Sequence, residues 1–151
     1  MRIAIGSDHR GYEAKEKIKV MLISKGYEVL DFGAECAASC DYPDAAYPTC
    51  KSVVSGVSES GILLCGSGIG MSISANKVRG IRAALIHDHF SAKQGVEDDH
   101  MNVICLGGRT VGPDVAWDLV RAFLEATYSQ ESRHLRRLGK VAFIEAARSA
   151  G

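Results

Sequence analysis

A chain of 151 residues with 46% hydrophobic and 24% charged side chains is the size of one globular domain, with enough apolar mass for a core without disulfide or metal staples. Eighteen basic side chains balance eighteen acidic ones, so no overall charge favours nucleic acid or an anionic membrane. No apolar run approaches the ~20 residues of a membrane span. The N-terminal MRIAIGSDH lacks a signal-peptide core, so the five cysteines (Cys36, Cys40, Cys50, Cys65 and Cys105) suit free thiols in a reducing cytoplasm.

RIAIGS is a short β-rich run closed by Gly6-Ser7. The next stretch, GYEAKEKIKVMLISKG, places Ala14, Ile18, Met21 and Leu22 at helical spacing with lysines on the other face, and Gly26 is its stop. YEVLDFG is a second strand, and AECAASCDYP reads as a loop. Pro43 suits the first turn of a helix running through Ala45 and Ala46 to Val54, which Pro48 would kink.

GILLC is short, apolar and glycine-bounded, as expected of a strand buried on both faces. SGIGMSISANKV is a loop followed by a helix, IRAALI a strand, HFSAKQGVEDD a helix and NVICLGG the fifth strand. PDVAWDLVRAFLEATY carries Ala116, Leu119, Val120, Phe123, Leu124 and Thr127 on one stripe, with Trp117 off it. ESRHLRRLGKVAFIEAARS is a last helix. Strand and helix alternate five times, which predicts one α/β domain over residues 1–151: a doubly wound, five-stranded parallel sheet with helices on both faces.

Ligands in such folds bind beyond the carboxyl ends of the strands. There the chain collects Asp8, His9 and Arg10 after the first strand, and Cys65, Gly66, Ser67, Gly68 and Gly70 after the third. His87, Asp88 and His89 follow the fourth, and Gly107, Gly108 and Arg109 the fifth. Three phosphate motifs fail. Gly6 and Gly11 have P-loop spacing, but Tyr12-Glu13 stand where Lys-Ser/Thr is required. A dinucleotide fingerprint would need glycine, and a phosphatase loop arginine, at the position of Met71.

What remains is a thiol at the head of a run of backbone N–H groups. Glycines let those groups approach a ligand closely, and they favour an anion. Such a setting favours the thiolate form of a cysteine, which can attack a carbon or take a proton from one. The competing reading is that Cys65 is a small buried hydrophobe. Arg133, His134, Arg136 and Arg137 form a basic cluster at the start of the last helix, where guanidinium forks suit phosphate and the alternative is a solvated face. Cys36, Cys40 and Cys50 lack a fourth ligand for zinc, and the His87–His89 and Asp98–His100 runs could serve a polar substrate as readily as a divalent ion. No metal or cofactor is assigned.

The segments IGSDHRGYEAK, DYPD, GILLCGSGIGMSISANKVRGIRAAL, NVICLGGRTVGP and SRHLRRL, collinear over nearly the whole chain, resemble the ribose-5-phosphate isomerase B family, which includes galactose-6-phosphate isomerase subunits. The resemblance implies a single Rossmann-like α/β domain and a homodimer or tetramer with active sites at the subunit interface. It also implies aldose–ketose isomerisation without metal or cofactor, on ribose 5-phosphate in the pentose phosphate pathway. By that likeness Cys65 moves a proton between C1 and C2 through an enediolate. The backbone of Gly66, Gly68, Ile69 and Gly70, with the Ser67 hydroxyl where many members have threonine, would hold the oxyanion. Asp8, His9, Tyr42 and Asp99 would contact the sugar. Arg109, Arg133, Arg137 and His134 would bind phosphate, some across the interface, and Asn76 would brace the loop.

One position departs from the family pattern. Many members have a histidine four residues before the asparagine matching Asn102, with a role in opening the sugar ring; here that position is Asp98, followed by Asp99 and His100. Asp98 or His100 would take the role, or the substrate is already open-chain, such as a tetrose phosphate. A non-catalytic sugar-phosphate binding domain and a redox or acyl-transfer thiol enzyme are the readings from other classes.

Overall fold

A computed structural model describes residues 1–150, with side chains through residue 148. Its elements are β1 (Arg2–Ser7), α1 (Tyr12–Ser24), β2 (Glu28–Asp31), α2 (Tyr42–Val54), β3 (Ser60–Cys65), α3 (Ile69–Ala75), β4 (Ala83–Leu85), α4 (His89–Asp99), β5 (Val103–Gly107), α5 (Pro113–Glu125) and α6 (Ser132–Ala150). The strands form one sheet in the order β2-β1-β3-β5-β4, every pairing parallel.

The alternation of side chains splits the core in two. Ile3 and Ile5 of β1, Ile62 and Leu64 of β3, and Ile104 and Leu106 of β5 pack with α1, α4 and α5. Ala4, Leu63, Cys65, Val103 and Cys105 point the other way, against α2 and α3. Both faces are covered, which is why these strands read as continuous apolar runs. The connection after β1 turns towards β2 while that after β3 turns towards β4, so the β1/β3 boundary is the topological switch point.

Three details differ from the sequence reading. Pro48 lies inside α2 without ending it; the carbonyl it deprives of a donor belongs to exposed Asp44. β4 is three residues rather than six; at its start Arg82 N–H donates to the Asn102 side-chain Oδ1 at 2.8 Å rather than to a β5 carbonyl. Lys15 is not on the outer face of α1 but 1% exposed. Its Nζ donates to both Asp31 carboxylate oxygens at 2.8 Å and to the Ala34 carbonyl at 2.6 Å, so the buried charge is paired and anchors the start of the loop after β2.

Candidate active site

Cys65 is the last residue of β3 and 5% exposed. The chain turns sharply after it because Gly68 adopts φ +82, and the Gly68 N–H donates to Cys65 Sγ at 3.1 Å. A side chain on Gly68 would meet Leu85 and the Leu106 backbone within 3 Å. Ile69 N–H donates to Ser67 Oγ at 3.3 Å. The first N–H groups of a helix have no intrahelical acceptor, so those of Gly70 and Met71 face the carboxyl edge beside the thiol. α3 has only seven residues, so these local N–H groups outweigh any macrodipole.

The other walls come from β1, β5 and the loop after β2. Asp8 is 5% exposed, and its Oδ1 accepts the N–H groups of Arg10 at 2.9 Å and Gly11 at 3.0 Å. That oxygen shapes the β1–α1 turn. His9 Nδ1 lies 3.2 Å from the Cys40 carbonyl oxygen, tying the loop down over the site. The Tyr42 ring would be 2.9 Å from a side-chain carbon on Gly70, so only glycine lets the tyrosine lie over the loop. Arg109 follows β5, and its stem passes Gly66.

The remaining candidates collect elsewhere. In a parallel sheet the helices run back from the carboxyl edge to the amino edge, so the C-terminal ends of α3 and α4 lie opposite the thiol. Asn76 caps α3 there; its side chain donates to Ser72 and Ala83 carbonyls and accepts Ala83 N–H at 2.9 Å. It braces the α3–β4 join, not the thiol loop. Asp98 accepts from Gln94 Nε2 at 2.7 Å and faces His134 Nε2 at 3.4 Å. Asp99 shares a surface hollow with Asn76 and Arg82. His100 stacks on Tyr128, with ring centroids 4.4 Å apart. Burial, and then the Arg82 charge, holds its imidazole below the usual histidine range.

Arg133 and Arg137 are exposed on α6. That helix starts beside α4 and ends beside the α3–β4 join, where Gly80 N–H donates to Glu145. Within one chain, then, Cys65, Ser67, Asp8, His9, Tyr42 and Arg109 converge, and Asn76, Asp98, Asp99, His100, Arg133, His134 and Arg137 do not join them. Sequence reading gave no role to Arg10, although it stands between His9 and Gly11 directly after a strand, and that position was the available signal.

The family model described as Ribose/Galactose Isomerase matches residues 3–141. The chain belongs to that family. Ribose-5-phosphate isomerase B of Escherichia coli is 38% identical over 148 residues, 98% of this chain and 99% of that one. D-erythrulose-4-phosphate isomerase of Pectobacterium atrosepticum is 41% identical over 129 residues, 85% of each. The structure of Clostridium thermocellum ribose-5-phosphate isomerase B superposes with a TM-score of 0.95 at 44% identity, covering 98% of this chain and 99% of that one. Homologues that are sugar-phosphate isomerases make this chain a member of an isomerase family with the same α/β fold.

Proposed function

We propose that the whole chain is one cofactor-independent aldose–ketose isomerase domain, acting on ribose 5-phosphate in the cytoplasmic pentose phosphate pathway. The observation that carries the reading is the Cys65 sulfur at the carboxyl end of β3, accepting the Gly68 N–H at 3.1 Å. The thiolate takes the C2 proton of the open-chain aldose, and the electron pair moves to the carbonyl oxygen to give an enediolate. The thiol returns the proton to C1 while the hydroxyl proton passes from O2 to O1. The N–H groups of Gly70 and Met71 and the Ser67 hydroxyl stabilise the oxyanion. A positioned base contributes about 10²–10⁴ in rate.

The separation of the predicted residues onto two edges supports a homodimer in which a second copy of the chain brings Arg133, Arg137 and His100 to the Cys65 edge. Leu135, Val141, Phe143 and Ile144 are all at least half exposed along α6, an apolar surface suited to burial between copies.

The test is ketose formation from ribose 5-phosphate by wild type and Cys65→Ala, each with EDTA. Turnover by wild type alone supports the reading. Turnover by Cys65→Ala, or loss of wild-type activity in EDTA, overturns it. A tetrose phosphate is the second reading, because both Asp98 oxygens are engaged by Gln94 and His134 and a tetrose needs no ring opened. A panel of tetrose, pentose and hexose phosphates, ranked by kcat/KM, chooses between them.

A further inference from the structure

We propose that Arg10 is a phosphate-binding residue, supplied by the same subunit as Cys65, that closes with Arg109 as a two-guanidinium clamp beside Gly66. This deepens the isomerase reading and rests on it. A side-chain carbon on Gly66 would lie 3.2 Å from Arg10 Cδ and 3.9 Å from Arg109 Cδ. The two stems therefore flank the residue next to the thiol, one from the β1 loop and one from the β5 loop.

Both side chains are exposed, and among the described residues neither guanidinium has a carboxylate within ion-pair distance. Both line a cavity of about 370 Å³ with His9, Lys17 and Gly108; Glu13 is the one acidic side chain in its wall. That volume is ample for a phosphate. A dianion meets two forks and an ammonium there, and two guanidiniums in one small cavity repel each other until an anion arrives.

The clamp is held ready by the backbone. Asp8 Oδ1 takes the Arg10 N–H, and Gly108 stands where any side-chain carbon would come within 3.0 Å of the Arg10 carbonyl oxygen. These contacts fix the Arg10 backbone, and with it the point from which the side chain leaves, before substrate arrives. Lys17, one turn past Glu13 on α1, lines the same cavity.

The experiment compares wild type, Arg10→Ala and Arg10→Lys in two readouts. The first is the inorganic phosphate concentration that half-protects Cys65 from N-ethylmaleimide, followed by peptide mass. It should rise about ten- to a hundredfold in Arg10→Ala, the loss expected for charge-assisted hydrogen bonds, with Arg10→Lys between. The second is steady-state kinetics, in which KM rises and kcat stays within about threefold, because an anchor remote from C1 and C2 binds ground and transition states alike. Equal protection of Arg10→Ala and wild type, with matching melting temperatures, overturns the proposal, as does a wild type that phosphate does not protect. If Arg10→Ala does not fold, unchanged protection in Arg10→Lys and in Arg10→Gln overturns it equally. A wild type that turns over no sugar phosphate defeats the isomerase reading, while the protection readout still judges Arg10.

Discussion

His134 Nε2 lies 3.4 Å from an Asp98 carboxylate oxygen, and His134 is only 4% exposed. Read along the chain, the two residues have separate duties, phosphate binding and ring opening. Folded, they pin the start of α6 to the end of α4. His134→Ala removes a buried partner and should cost about 1–3 kcal/mol. Urea unfolding should show a lower midpoint. If the variant keeps wild-type stability and loses phosphate affinity instead, His134 serves the ligand and not the helix junction.

The five thiols should react in a fixed order. Burial pushes Cys50 up to about 12 and Cys105 well above the usual thiol range. Cys36 and Cys40 are exposed on the loop after β2. Alkylation at pH 8 followed by peptide mass should label Cys36 and Cys40 first, and Cys50 and Cys105 only on unfolding. Cys65 should label in between, and a substrate sugar phosphate should slow it selectively.

Acid should release the loop after β2 before the rest of the fold. Burial alone would raise the Asp31 carboxyl, but hydrogen bonds from Lys15, Lys19 and the Gly33 N–H outweigh it and hold it below the usual carboxylate range. A carboxyl depressed on folding contributes stability above its unfolded value of about 4, and loses it as pH falls through the lower folded value. Asp31→Asn should therefore narrow the stability gap between pH 7 and pH 3 in thermal melts. An unchanged pH profile would remove Asp31 as the cause.

Gly68→Ala should abolish turnover and destabilise the fold. The left-handed backbone alone costs an L-residue about 1–2 kcal/mol, and the new methyl would press on Leu85 and Leu106. Gly112→Ala makes the control, since nothing lies within 4 Å of its side-chain position. Comparable melting temperatures for the two variants would refute the packing argument.

Subunit sharing predicts complementation. With substrate well below KM, Cys65→Ala should be inactive and Arg137→Ala nearly so, the first through lost chemistry and the second through lost phosphate binding. Mixed one to one and refolded together, they should recover about a quarter of wild-type activity, because half of a random mixture of two-fold dimers is mixed and each mixed dimer has one intact site. No recovery, with mixed dimers shown by native mass, would place Arg137 outside the site.

Much of this protein is local and so was readable in order along the chain. GILLC, apolar and bounded by glycines, predicts a strand buried on both faces, because residues covered on both sides have no polar side to show; β3 is buried as expected, with β1 and β5 beside it, while the edge strands β2 and β4 are only partly buried. The stripe on α5 is set by the 3.6-residue period, and its members Ala116, Leu119, Val120, Phe123 and Leu124 are buried. The thiol at the head of GSGIG is fixed by chain adjacency, so the sequence alone places Cys65 beside its N–H groups. Distance across the sheet is another matter. Parallel strands send each helix back to the amino edge, so Asp98, His100 and Arg137 end far from the thiol whatever their spacing suggests. Burial of Lys15 depended on where Asp31 and Ala34 came to rest, and the convergence of Arg10 and Arg109 on Gly66 joins residues nearly a hundred positions apart. Such contacts exist only once β1, β3 and β5 have paired, and no pattern within a single segment encodes them.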